Sequence, residues 1–154
     1  MLYIVYEEGL LSNNSNIYLG SRSLLFNKFY NLDNDVYYSF TSIRARMIDK
    51  IRINEIIRRI VNTVGDNYIY ISIDIDVLDP AFTPATGTIE PGGWTTRELL
   101  RILYSLSQAG LPIIGVDVVE FAPVYDNKAE TTVITVTQII YELLQWMVHV
   151  PVKA

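Results

Sequence analysis

The 154-residue chain contains no cysteine and a single histidine, His149. The first absence excludes a disulfide framework and any thiolate-held metal, and a reducing compartment suits such a chain. The second leaves almost no imidazole chemistry. His149 lies near the end of a helical pattern, where a lone histidine is far more often a helix-end cation than a ligand. Positive charge is also in short supply: 12 Lys and Arg against 17 Asp and Glu give a formal charge of -5, which argues against a nucleic-acid partner. The only basic group, Arg44, Arg46, Lys50 and Arg52, reads as the solvated rim of a helix entrance. No apolar run approaches the roughly 20 residues that span a bilayer. The first residues lack the basic flank and the length of a signal peptide. A cytoplasmic chain with no membrane partner is expected. Half of the residues are hydrophobic and eleven are tyrosine, enough for a core of single-domain size spanning residues 1–154.

The densest apolar stretch is residues 68–74, which predicts a strand buried on both faces, the type found in parallel sheets. It runs into Asp74 and Asp76. If the backbone stays extended through Ile75, both carboxylates point to one face and Ile73 and Ile75 to the other. Two hard oxygen donors at the carboxyl end of a strand suit Mg²⁺ or Mn²⁺, and ligands gather at this edge of open α/β sheets. The plainer alternative is an aspartate-rich turn that bonds its own backbone. That covers Asp79, just before Pro80, but covers Asp74 poorly, because a carboxylate in an apolar strand needs a partner.

Residues 1–11 suggest a short helix ending near Gly9, with a strand nearly as well supported. Residues 12–16 form a loop, residues 17–20 a short buried strand presenting Ser21 and Arg22, residues 26–35 an irregular stretch, and residues 36–40 another strand. From Arg52 onward, Ile53, Ile56, Ile57, Ile60 and Val61 recur at helical spacing until Gly65. Residues 81–93 are a proline- and glycine-rich loop of the length that usually carries function. Thr95 and Glu98 form a capping box ahead of a helix with Leu99, Leu100, Ile102, Leu103 and Leu106 inward, closed by Gly110. Residues 112–120 repeat the acidic-ended strand pattern and finish at Glu120. A last helix over residues 129–148 would bury Val133, Val136, Ile140, Leu143, Leu144 and Met147. No repeat or linker divides the chain. The β-α-β order predicts an α/β fold, a parallel sheet with helices on its faces, that sets Glu120 beside Asp74 and Asp76. Three carboxylates at one edge call for a metal or a cationic substrate, or else raise a proton affinity.

Several stretches in fixed order carry a resemblance: Ser72-Ile-Asp-Ile-Asp-Val-Leu-Asp-Pro-Ala-Phe82, Thr83-Pro-Ala-Thr-Gly-Thr88, Glu90-Pro-Gly-Gly93 and Asp117-Val-Val-Glu120. Together they are similar to the carboxyl-terminal half of the ureohydrolases, the arginase and agmatinase family. Ile17-Tyr-Leu-Gly-Ser-Arg22 resembles the family's preceding strand, and the wording from Glu90 to Leu99 is nearer to agmatinases. The resemblance implies a three-layer α/β/α sandwich around a mainly parallel sheet, incomplete here. It implies a pair of Mn²⁺ ions that activate water for attack on a guanidinium carbon, releasing urea. By matching motif, Asp74 and Asp76 would be metal ligands, Glu120 would hold the substrate guanidinium, and residues 83–93 would wall the site.

Agmatine is the first substrate to expect, guanidinobutyrate the next, and a homo-oligomer the expected assembly, in the cytoplasm or, for a full-length form, in mitochondria. The family's Gly-Gly-Asp-His, Asp-Ala-His-x-Asp and His-Gly segments are absent. Glu7-Glu-Gly-Leu10 corresponds to the stretch just past the last of them. The resemblance thus implies a truncated domain with either a sheet gap or a new strand pairing between the strand ending at Asp74 and the one ending at Gly20. It leaves a second function open, a catalytically inactive fragment that binds metal weakly or serves as an interaction scaffold. An unrelated Asp-x-Asp enzyme, a manganese-dependent glycosyltransferase or a dehalogenase-like phosphatase, is the remaining alternative. The phosphatase would need a lysine, and only Lys128 and Lys153 follow Asp76.

Overall fold

The computed structural model describes residues 2–22 and 40–152. The apolar run becomes β3 (Ile69–Asp74), which pairs in parallel with β4 (Ile113–Val119) so that Ser72 faces Asp117 and Asp74 faces Val119. Between them runs α3 (Thr96–Gln108), and after β4 comes α4 (Thr131–His149). A second parallel pair joins β1 (Asn16–Leu19) to β2 (Phe40–Ile43), with Tyr18 stacked on Phe40. The chain opens with α1 (Leu2–Glu7), and α2 (Met47–Val64) links β2 to β3. Among the described residues the strands form two separate sheets, β1-β2 and β3-β4. The resemblance allowed for a gap at this point in the sheet.

One core spans both pairs, and each of two buried tryptophans ties distant segments together. The indole N–H of Trp94 donates to the carbonyl of Ala45, just past β2, at 3.1 Å. Its backbone N–H donates to Val77 and its carbonyl accepts from Asp79. The indole of Trp146 donates to the carbonyl of Leu111, just before β4, at 2.8 Å. Buried indole N–H groups are costly without such acceptors. Ile56, Ile60, Ile73, Ile75, Ile102, Ile139 and Leu143 fill the space around them.

Several local expectations hold. The capping box is formed in both directions, with Glu98 N–H on Thr95 Oγ1 at 3.2 Å and Thr95 N–H on the Glu98 carboxylate at 2.8 Å. Of the two readings of the first residues, the helix is the one adopted.

Others need correction. β3 is buried on one face only: Ile73 lies in the core, whereas Tyr70, Ser72 and Asp74 are exposed. The described helices cover one side of this two-stranded sheet. On the open side Tyr70 donates its hydroxyl to Asp117 at 2.8 Å. That bond raises the tyrosine pKa above its usual value, with burial and the Asp117 charge adding to it. α2 starts at Met47, ahead of the expected Arg52, and Arg52 itself breaks the helix with φ 63° and ψ 154°. The break shifts the phase of the apolar positions, so Met47, Ile48 and Ile51 reach the core outside the register read from Ile53 onward.

In α4 the buried side chains are Thr132, Thr135, Val136, Ile139, Leu143 and Trp146, and Ile140 and Leu144 point outward. The bulk of Trp146 and the bond from Ala85 N–H to the Thr132 hydroxyl fix the helix in this rotation. β2 begins at Phe40, where the expected strand was to end. Residues 36–39 of that expectation, and the irregular stretch at 26–35, lie outside the described residues.

Candidate active site at the ends of β3 and β4

The extended backbone does not persist through Ile75. Asp74 caps a single 3₁₀ turn, Ile75–Val77, and its Oδ1 accepts from the Asp76 N–H at 2.9 Å. The two aspartates are therefore not alternate residues of one strand. Ile75, fully buried beneath the turn, anchors it. The turn folds Asp76 back so that Oδ1 of its carboxylate accepts from the hydroxyl of Thr86, itself 4% exposed.

Burial, and after it the nearby charges of Asp74 and Glu120, push the Asp76 pKa up to about 6; Glu90 adds to the rise and Arg22 opposes it. Asp74, Asp76 and Glu120 thus share one electrostatic neighbourhood, as the parallel strand ends predicted. Glu120 sits just past β4 with φ 61°, a left-handed conformation unusual for a residue bearing a side chain. Backbone held this way is concentrated at functional sites. Its carboxylate leans toward Gly87, where an added Cβ would lie 3.9 Å from Oε2.

The loop after the 3₁₀ turn is not featureless. Asp79 accepts from Ala81 N–H at 3.0 Å and Gly92 N–H at 2.7 Å. These two bonds, the Ala81 one foremost, hold its pKa below the usual range. Asp79 is thus a turn aspartate. Isolated bridges pair Leu78 with Trp94 and Thr86 with Phe121. Arg22, at the exit of β1, clamps the loop from outside: Nε donates to the Glu90 carbonyl at 2.9 Å, and a terminal nitrogen bonds the same carbonyl and that of Leu78 at 3.3 Å.

Sequence reasoning gave no role to Thr86 or Arg22. A strand-end arginine was a usable signal, but the burial of Thr86 depends on how the loop folds back on the turn and has no local signature.

Asp74 and Asp76 could offer hard oxygens to a cation. Among the described residues no group of three or more His, Cys, Asp or Glu is arranged to hold a metal, and exposed His149 lies in the last turn of α4. The donor set is a two-carboxylate corner, too small to hold a pair of ions. What it can do alone is attract a cation and exchange a proton near neutral pH at Asp76.

A sequence pattern described as "Arginase family" matches residues 1–145. The chain is 50% identical over 150 residues to "Putative agmatinase 1" of Schizosaccharomyces pombe, covering 97% of this chain and 37% of that protein. It is 37% identical over 144 residues to "Agmatinase" of Photorhabdus laumondii, covering 94% of this chain and 43% of the relative. The chain thus spans about two-fifths of the length of the curated relatives it matches. The structure of proclavaminate amidino hydrolase from Streptomyces clavuligerus superposes with a TM-score of 0.85 at 31% identity, over 96% of this chain and 47% of that one.

Proposed function

This chain belongs to the arginase family, and on that premise we propose that it serves an agmatinase-type ureohydrolase, which splits a small guanidino compound such as agmatine into an amine and urea. The observation that carries the reading is the convergence of Asp74, Asp76 and Glu120 at the ends of two parallel strands, with Asp76 pushed up to about 6 by burial and its acidic neighbours. A site with that much unbalanced negative charge is built for cations. In this reading Asp74 and Asp76 contribute to a manganese site, and Glu120 accepts paired hydrogen bonds from the substrate guanidinium.

A guanidinium carbon is a poor electrophile, so the reaction needs an activated water, and manganese is what supplies it in this reading. The described donors do not complete a two-ion site. The further ligands would be the histidine-bearing segments that characterise the family and are absent from this sequence. What the chain's own residues do is orient the cation at Glu120 and hold its charge close to the acidic pair.

The incomplete donor set also favours a second reading, that this chain by itself is catalytically silent and binds a divalent ion weakly. The two readings are separated by one pair of measurements. Calorimetric Mn²⁺ titration of the chain should show weak binding that Asp76→Asn abolishes, with no urea released from agmatine. A chimera, in which the chain replaces the matching segment of the Photorhabdus laumondii agmatinase, should release urea, and Glu120→Gln in that chimera should cut turnover at least a hundredfold. A folded, manganese-loaded chimera without turnover would reject the agmatinase reading. Tight binding of two ions with urea release by the chain alone would reject the silent one.

A further inference from the structure

Arg22 is half-buried and pairs with no carboxylate among the described residues, although Asp74, Asp76, Glu90 and Glu120 share its neighbourhood. Its guanidinium is engaged by backbone instead. Nε and a terminal nitrogen both donate to the carbonyl of Glu90, and the terminal nitrogen also reaches the carbonyl of Leu78 at 3.3 Å. A rigid fork of donors set on two main-chain carbonyls holds a shape.

The shape is that of the loop between those carbonyls. Residues 79–89 leave the 3₁₀ turn and return beside it, and one guanidinium grips both ends of the excursion. Compact loops closed at the neck are frequently functional. This one carries the two groups that meet the acidic strand ends: the Thr86 hydroxyl donates to Asp76, and Gly87 lies against the Glu120 carboxylate. Arg22 reaches the loop from the other sheet. Gly20, at φ 78°, permits the approach, since a Cβ there would overlap the Val77 side chain. Bonds from Gly20 N–H to the Ile43 carbonyl and from Ala45 N–H to the Ser21 carbonyl continue the β1-β2 ladder and fix the strand exit.

We propose that Arg22 is a positioning residue: its grip on the loop neck keeps Thr86 and Gly87 in place and so fixes the orientation in which Glu120 meets a guanidinium. The proposal rests on the agmatinase-type reading above and gives β1 a part in it. Glu120 can present two parallel acceptors to a planar guanidinium only while its carboxylate is held in one plane. An ammonium makes no such demand, being a point charge with rotatable donors.

Charge and geometry predict opposite signs. Arg22 is a cation beside a site built for cations, and its charge opposes that of the acids around Asp76. By charge alone, its removal tightens the binding of any cation. By geometry, its removal weakens a guanidinium and leaves an ammonium nearly untouched.

Agmatine and 1,4-diaminobutane share an aliphatic chain and one ammonium, and differ only in the group offered to Glu120. Ligand-observed NMR on the chain should show a preference for agmatine. Arg22→Lys, which keeps the charge and loses the fork, and Arg22→Gln, which loses both, should each weaken agmatine at least about fivefold. The diamine should bind Arg22→Lys as it binds the wild type, and Arg22→Gln no more weakly. Far-ultraviolet circular dichroism identifies the folded variants, and Arg22→Lys is the milder of the two. Tighter agmatine binding by Arg22→Gln overturns the proposal, as does a lysine variant indistinguishable from the wild type. An equal loss of both ligands overturns it too, because a general loosening of the fold does not discriminate between them. A wild-type preference that both variants retain rejects the role of Arg22 alone. A wild-type chain without that preference rejects the part of Glu120, and with it the reading on which the proposal rests.

Discussion

The hydroxyl of Thr86 donates to Oδ1 of Asp76 from ten residues further along the chain, and this bond ties the loop after the 3₁₀ turn to the acidic strand end. Thr86 is buried and Asp76 half-buried, so the bond stabilises the ionised carboxylate against the neighbours that oppose it.

Thr86→Val keeps the shape and removes the donor. A hydrogen bond to a charged group contributes about 1.5–3 kcal/mol. We expect the variant to lose about 1–2 kcal/mol in urea denaturation, and the Asp76 pKa to rise further above 6 in a carboxyl-carbon titration. An unchanged pKa would mean that the hydroxyl does not bear on the carboxylate.

Asp76 itself ties stability to pH. Its pKa is about 6 in the folded chain against an ordinary value of 3.8, so the folded state binds the proton more tightly than the unfolded one. The contribution of this group is fully present below about pH 3.8 and is lost as pH rises through about 6. At pH 7.5 the charged carboxylate is therefore a liability, on the order of 1 kcal/mol once solvent screening is allowed for. Asp76→Asn should raise the metal-free Tm by about 2–4 °C at that pH and flatten the stability profile between pH 4 and 6. A lower Tm at pH 7.5 would contradict the assignment.

Glu120 occupies a backbone conformation that costs a side-chain-bearing residue about 1–2 kcal/mol. Replacing it with glycine should stabilise the chain by about 0.5–1 kcal/mol in denaturant titrations, whereas Glu120→Ala should give no gain. The same glycine variant should lose any affinity for agmatine measured by ligand-observed NMR. Stability gained with binding lost is the pattern expected where strain is kept for function.

Two adjacent glycines should respond differently to alanine. A Cβ at Gly93 would stand 2.5 Å from the Leu78 carbonyl carbon and the Asp79 nitrogen, backbone atoms that belong to the bridge with Trp94. Gly92, at φ 84°, meets nothing within 4 Å. Gly92→Ala should cost about 1 kcal/mol from conformation alone. Gly93→Ala should cost more than about 3 kcal/mol and broaden the Trp94 indole resonance.

What the sequence made legible follows from how local each cause is. The capping box at Thr95 and Glu98 and the turn at Asp79 are written within a few residues, and each is found as read. The one-sided burial of β3 was not legible, because an apolar strand does not say how many layers cover it. The rotation of α4 was decided by Trp146 and by a bond from Ala85, a contact across 47 residues. The site divides similarly: periodicity and strand order brought Glu120 toward Asp76. The turn that caps Asp74, the clamp of Arg22 on Glu90 and the donor at Thr86 all depend on where a loop returns.

Each of the two tryptophans is sealed in apolar surroundings with its indole N–H on a carbonyl from a different side of the molecule. The chain therefore carries two built-in optical reporters of separate regions. With Trp146 replaced by phenylalanine, emission reports on the union of the 3₁₀ turn with the segment after β2. With Trp94 replaced, it reports on the seating of α4 against β4. Coincident unfolding curves from the two would make the divided sheets one cooperative unit, and a lag between them would give each sheet its own melting event.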